Sequence, residues 1–259
     1  MEKAAAPSSA AALEDLKGRV AMACRVLHHR GLMRSIGHVT ARVPGTDRFL
    51  LGMNRFTHGR TRPEDLLTFD LEGRKVDGPD IPLPRETFIY TETLKARADV
   101  ESVVHVHMPT SLAFGVARLD ILPLYVQCAE VVRFGVPVVD SPMIVSTVDR
   151  GRAIARALKD AHACHMRGHG QVIVGRSVEH AAALTIQLEE QAEINLKARQ
   201  LTDTPFACTQ GEVEEFIYED KRTPETVLSS PFSSIWSRGK PGPLGPLSLY
   251  ALEMDPEDR

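Results

Sequence analysis

The chain has 259 residues, 43% hydrophobic and 25% charged, with a formal net charge of −3. These are ordinary proportions for a globular protein, and the length allows one large α/β domain with a substantial core. The slightly acidic balance and the lack of any basic run exclude a nucleic-acid footprint. No apolar stretch approaches the roughly 20 residues that span a membrane.

Residues 1–12 are Ala/Ser-rich, read as a mobile segment, and lack the charged region and apolar core of a secretion signal. Cys24, Cys128, Cys164 and Cys208 lie far apart without paired spacing. They read as reduced thiols, and the expected location is cytoplasmic. Leu13, Leu16, Val20, Cys24 and Leu27 then recur at helical spacing, with Gly31 a natural stop. Ile36 to Arg42 and Phe49 to Met53 read as short strands joined around Pro44-Gly45. Residues 54–65 are irregular and polar, and they hold Arg55, Arg60 and Arg62. Leu66 to Phe69 and Lys75-Val76 flank an Asp70-Leu71-Glu72-Gly73 turn, the pattern of a hairpin.

Pro84 favours a helix starting near Glu86 and carrying Phe88, Ile89 and Leu94. A glutamate in a first turn complements the helix dipole, so Glu86 fits either that role or a catalytic one. Ser102 to Met108 is β-branched and apolar, a buried strand ending at Pro109. Residues two apart in a strand share a face, so Val104 and Val106 pack one way while His105 and His107 project the other. Two neutral imidazoles so placed can reach one cation at about 2.0–2.1 Å. Alone, the pair also fits two histidines on a polar sheet face.

A long apolar loop follows, then a strand at Val136 to Val139 and a helix from about Asp149 to Ala161 presenting Ile154 and Leu158. In Arg167-Gly168-His169-Gly170, glycines flank the ring where a sharp turn could aim it into the next strand. Alone, His169 also fits an ordinary loop. Three histidines leave metal positions open for water or substrate, as catalytic sites do. Imidazole ligands suit Zn, Mn, Fe, Co or Ni. Ser177 can cap a long helix with Ala181, Leu184, Leu188 and Ala192 on one face. His28, His29, His58, His162, His165 and His180 read as surface or partly packed. Beyond Leu201 the pattern weakens, and residues 223–259 form a Pro/Gly/Ser-rich extension to a single domain over 13–222.

From Leu13 to Leu201 the chain resembles the class II aldolase/adducin family. The resemblance rests on the order and spacing of Gly31-Leu32-Met33-Arg34, Gly37-His38-Val39-Thr40-Ala41-Arg42, Glu86, Ala96-Arg97-Ala98-Asp99-Val100, Val103-Val104-His105-Val106-His107 and Arg167-Gly168-His169-Gly170. It implies a three-layer α/β/α fold with a central, mainly antiparallel sheet. It also implies a divalent metal on His105, His107 and His169, Glu86 as acid/base, and a homo-oligomer, usually a tetramer.

The departures matter as much. Sugar-phosphate aldolases of the family typically carry Gly-Asn-x-Ser where this chain has Gly37-His38-Val39-Thr40. They carry Pro-Ser-Ser-Glu where it has Leu83-Pro84-Arg85-Glu86, and a Thr-Pro-Ser/Thr-Gly turn near Gly52 to Thr57. Small phosphate-cradling groups are thus replaced by bulkier ones, whereas a planar carboxylate suits the fork of arginine. Tyr90 replaces the family's frequent histidine four residues after the glutamate.

The motifs look closer to the branch of decarboxylases acting on hydroxylated aromatic or heteroaromatic acids. The expected function is therefore a metal-dependent carbon–carbon lyase that decarboxylates such an acid through a metal-stabilised enolate. Arg85, Arg55, Arg60, His38 and Thr40 are the expected substrate contacts, and a small-molecule carboxylate is the expected partner, with no nucleic acid or membrane. The alternatives are an aldolase or epimerase on a non-phosphorylated hydroxy or keto acid, and a non-catalytic adducin-like interaction domain.

Overall fold

The structure, a computed structural model, describes residues 9–34, 36–53 and 58–222. In chain order the helices are α1 (Ser9–His29), α2 (Thr87–Ala96), α3 (Pro109–Ala117), α4 (Val148–Leu158), α5 (Val178–Leu201) and α6 (Gln210–Arg222). The strands are β1 (His38–Arg42), β2 (Arg48–Gly52), β3 (Leu67–Asp70), β4 (Lys75–Asp77), β5 (Ser102–Val106), β6 (Val138–Val139), β7 (Ala163–Met166) and β8 (Gly170–Gly175). They join in one sheet of order β4-β3-β2-β1-β5-β8-β7-β6. Every pairing is antiparallel except the short β6–β7 contact. Among the described residues no helix is long and apolar enough to cross a membrane.

Side-chain alternation divides the sheet between two cores. Val39, Ala41, Val104, Val106 and Ile173 pack with α1 and α5, through residues such as Val20, Leu27, Leu184 and Leu188. Phe49, Phe69, Val103, Val172 and Val174 pack on the other side with α2 and α4, through Ile89, Tyr90, Leu94 and Ile154. The architecture is the expected three-layer α/β/α with a mainly antiparallel sheet. β5 lies at its centre between β1 and β8. The side chain at 105 shares Val103's parity and faces the α2–α4 layer.

Several expected boundaries move. α1 begins at Ser9, so the last four residues of the expected opening segment are helical; residues 1–8 and 223–259 lie outside the described residues. The apolar stretch after the histidine strand is not a loop. Pro109 opens α3 at its first position, where a missing N–H costs nothing, and one-turn 3-10 helices follow at Val126–Cys128 and Glu130–Val132. Beyond Leu201, α6 forms where the pattern had weakened, seating Val213 and Ile217 against Ala129.

His58 and His165 correct a further expectation. They are only 3% and 1% exposed: His58 lies in a one-turn helix packed on α1, and β7, too short to stand out by alternation, carries His165 into the interior against Gly115 of α3. The cysteines form no disulfide among the described residues. Burial pushes the Cys24 and Cys164 thiols up to about 12.

Candidate metal and catalytic site

His105 stands in the middle of the sheet, fully buried. Its Nδ1–H donates to the Gln171 carbonyl of β8 at 2.9 Å. That bond fixes the tautomer and leaves a bare lone pair on Nε2, as the outer partner of a metal-bound histidine does. β5 ends at Val106, one residue earlier than the ring pair needs to share a regular strand. His107 nevertheless turns to the same side, with ring centroids 4.6 Å apart. His169 arrives from a turn in which its N–H donates to the Met166 carbonyl at 3.0 Å.

The glycines on either side of His169 each have a cause. Gly168 has φ +69, a left-handed conformation that favours glycine. At Gly170 a Cβ would lie 2.4 Å from the Val106 carbonyl and 2.9 Å from the His107 ring. The strand can therefore pass this close to β5 only without a side chain. The expectation that these residues aim the ring agrees with their geometry.

The three rings close into a triangle, with His169 centred 5.3 Å from His105 and 5.4 Å from His107. One nitrogen from each lies within 4.8 Å of the others, and among the described residues this is the one such group of potential metal ligands. Glu86 faces them. Its Oε2 is 3.3 Å from His105 Nε2, and its Oε1 is 3.3 Å from His169 Nε2. Two donors on a tetrahedral cation sit about 3.4 Å apart.

His105 Nε2 is sealed from solvent and makes no hydrogen bond. A bare nitrogen lone pair facing carboxylate oxygens repels unless positive charge lies between them. The donor set thus fits a divalent cation on its own chemistry.

Glu86 occupies the N-cap position of α2 but makes no capping hydrogen bond. The helix-dipole role alone does not account for it, because its side chain turns to the histidines and accepts the Val145 N–H at 3.2 Å. Burial works to raise its pKa. His105, the Val145 amide and His169 outweigh that and hold it at about 2. Desolvation, reinforced by the neighbouring rings, lowers His107 to about 4 and also lowers His169. Burial thus favours the neutral form of His107 and His169, the form in which an imidazole binds a cation.

The expected substrate contacts divide. His38 is there: it pairs with His105 across the β1–β5 ladder. Arg85, immediately before Glu86, is exposed and makes no ion pair among the described residues, so it is not consumed by a surface acid. Thr40 shares the face of His38, but its hydroxyl donates to the Val103 carbonyl at 2.9 Å and accepts the Val103 N–H at 3.1 Å. That is a sheet contact, and it takes Thr40 out of the substrate set. Arg60 is exposed in the one-turn helix His58–Arg60, which packs on α1 across the sheet from Glu86. The structure does not bring it to the cluster. Arg55 lies outside the described residues.

Other participants escaped sequence reasoning. Gln171 holds His105 by its backbone, while its side chain clasps Met108 through Oε1 to N at 2.9 Å and Nε2 to O at 3.2 Å. Glu189 of α5 accepts the Thr110 and Ser111 N–H groups, each at 2.9 Å. Arg167 pairs with Asp140, which also meets Arg118 at 3.1 Å and ties the His169 turn to α3. Nothing local in the sequence signals these long-range partners. The Tyr90 hydroxyl meets His38 Nδ1 at 2.8 Å, and the departure from the family's usual histidine at this position was the one available clue.

Comparison with known proteins gives a concordant picture. A family model described as class II aldolase and adducin N-terminal domain matches residues 18–196. A 3,4-dihydroxyphthalate decarboxylase of Arthrobacter keyseri is 30% identical over 190 residues, covering 69% of this chain and 76% of that protein. The protein of the same description from Rhodococcus jostii is 29% identical over 196 residues, covering 71% and 80%. Among solved structures, an L-fuculose 1-phosphate aldolase from Glaciozyma antarctica superposes with a TM-score of 0.72 at 22% identity, covering 84% of this chain and 86% of that one. That last likeness is one of fold.

Proposed function

The chain belongs to the class II aldolase and adducin N-terminal domain family, and from that premise we propose that it is a metal-dependent carbon–carbon lyase that decarboxylates a hydroxylated aromatic or heteroaromatic acid. One observation carries the proposal. His105, His107 and His169 converge with an ionised carboxylate 3.3 Å from two of them, an arrangement that an interaction domain has no need to keep. The decarboxylase relatives favour loss of carbon dioxide over aldol cleavage. Thr40 supports the same choice, since its hydroxyl is committed within the sheet and is not available to cradle a phosphate.

His105, His107 and His169 would hold the cation. When bound, it supplies Lewis acidity to the substrate oxygen next to the carbon that loses its carboxylate. The remaining work falls to the chain. Glu86, buried and facing the triad, is placed to carry a proton between substrate atoms. It takes the proton of the substrate hydroxyl and delivers it to the ring carbon that bears the carboxylate, where a ring electron pair forms the new C–H bond; the carbon–carboxylate bond then breaks, its electron pair returning to the ring as carbon dioxide leaves. Solvent restores the hydroxyl proton.

Arg85, exposed and unpaired beside this carboxylate, meets a second carboxylate or hydroxyl on the ring through its planar fork. A second copy of the chain would cover exposed apolar side chains such as Ile36, Leu83 and Met143, which are 59%, 49% and 51% exposed. The mass of the native particle checks this.

The direct test is a panel of ortho-hydroxy aromatic carboxylates, 3,4-dihydroxyphthalate among them, assayed for carbon dioxide release with Zn, Mn, Fe, Co and Ni added in turn. Metal-dependent release from at least one acid is expected. Turnover of a sugar phosphate in place of any acid, or turnover unaffected by chelation, overturns the proposal.

A further inference from the structure

His38 lies directly opposite His105 in the ladder, so its ring shares the face that carries the metal triad. Its Nδ1 is 2.8 Å from the Tyr90 hydroxyl, and the two rings meet edge to face with centroids 5.8 Å apart. Tyr90 is itself fully buried and packed on Phe49 at 6.2 Å between ring centroids. Burial above all, with the Glu86 charge adding to it, pushes its pKa well above the ordinary phenol value, so the hydroxyl keeps its proton.

That proton has one acceptor among the described residues, His38 Nδ1. A nitrogen that accepts carries no hydrogen, so the single proton of the neutral imidazole sits on Nε2. Nε2 makes no hydrogen bond among the described residues, and it is not among the buried nitrogens sealed without a partner. It is therefore a donor open to whatever occupies the space beside the triad. The charges that act on the ring are those of that space: His105, Glu86 and His107, together with His58.

We propose that Tyr90 is a positioning residue that locks His38 as an Nε2–H donor, and that this donor recognises an acceptor oxygen of the substrate, a carboxylate or a phenolate, beside the metal triad. Although His38 is opposite His105, it lies outside the ligand group of His105, His107 and His169 among the described residues, so its ring is left to meet the substrate. The recognition step rests on the carboxylate reading of the substrate; the lock does not.

The experiment is a long-range proton–nitrogen correlation on ¹⁵N-histidine-labelled protein, metal-free and zinc-loaded, with Tyr90→Phe and His38→Gln alongside. His38 is expected as the Nε2–H tautomer in the wild type and as a mixture, or as Nδ1–H, in Tyr90→Phe. Both variants should bind zinc with wild-type stoichiometry. Salicylate, as a carboxylate probe, should shift the Nε2–H resonance and bind Tyr90→Phe about 3- to 10-fold more weakly, the range of one neutral hydrogen bond.

An Nδ1–H tautomer in the wild type, an unchanged tautomer in Tyr90→Phe, or zinc lost from His38→Gln overturns the lock. Salicylate that fails to bind, leaves the Nε2–H resonance in place, or binds Tyr90→Phe as tightly as the wild type overturns the recognition. The tautomer is read whether or not any acid is decarboxylated, so failure of the proposed reaction and failure of the lock are separate outcomes.

Discussion

Glu189 tests whether the site is held from the far side of the sheet. Its carboxylate, 6% exposed, accepts both the Thr110 and Ser111 N–H groups at 2.9 Å. It thereby caps α3 from another helix, because Met108 at the N-cap supplies no side-chain bond. His107 is the residue before Met108. Replacing Glu189 with Ala leaves two inward-facing backbone donors without an acceptor. At about 1–3 kcal/mol for each unsatisfied group, partly offset if water enters, the folded state should lose about 2–4 kcal/mol.

Glu189→Gln keeps one oxygen but turns an NH₂ toward the other donor, so about half that loss is expected. If the cap positions His107, zinc affinity in Glu189→Ala should fall about 10- to 100-fold, as when an outer-shell partner is removed. Denaturant unfolding gives the first quantity, and a competitive zinc titration the second. Amide exchange at Thr110 and Ser111 reports the opened cap. A variant that loses stability but binds zinc like the wild type refutes the link between the cap and the ligand.

The other predictions concern the site and the buried histidines. His105→Ala and His107→Ala should each lose the metal while remaining folded; stoichiometric metal in a folded variant lacking both rings, measured on the purified protein, would count against the triad. Glu86→Gln should retain metal but lose on the order of 10²–10⁴ in rate, whereas near-normal turnover would return Glu86 to a structural role.

His165 has both ring nitrogens buried without a partner, and desolvation alone lowers it from 6.5 to about 4. Below pH 6.5 the unfolded chain binds this proton and the folded chain does not, so stability is full above 6.5 and falls as the pH drops towards 4. His165→Leu should therefore remove about 2–3 kcal/mol of the stability that wild type loses between pH 7.5 and 4.5. Equal pH slopes for the two proteins would refute this.

What was legible in the sequence was the chemistry carried by single short segments. β5 announced its two faces by alternation, and the same alternation separates Val104 and Val106 from His105 in the structure. The glycines around His169 and the proline before α2 signalled backbone needs that the structure shares. Illegible were the contacts made between segments. Thr40 looked like a pocket hydroxyl because its residue type and parity suit one. Only the position of Val103, 63 residues on, shows the hydroxyl already taken. Arg60 is an arginine in a polar stretch, and nothing in that stretch says that the turn carrying it packs on α1. β7 and His165 were missed for a related reason: four residues cannot display a period, and their burial comes from α3 packing across them.

The sheet order explains why residues so far apart in sequence act at one point. β5 is central, so each of its side chains has neighbours on both flanks: His38 of β1 lies opposite His105 on one side, and Val172 on the other. The turn that leads into β8 delivers His169 to the same end of the sheet as His107, and the N-cap of α2, Glu86, meets His105 and His169. A triad with a facing carboxylate serves any reaction that leaves electron density on a carbon beside an oxygen, whether the bond broken leads to a carboxylate or to a carbonyl carbon. The triad therefore cannot choose between decarboxylation and aldol cleavage. On the proposed reading the choice lies with neighbours outside the triad: a histidine hydrogen-bonded to Tyr90, an exposed arginine next to Glu86, and a threonine whose hydroxyl is bonded within the sheet. Restoring a small amide at His38 tests that division of labour. His38→Asn should leave zinc binding intact, whereas weakened zinc binding would mean that His38 belongs to the metal site after all.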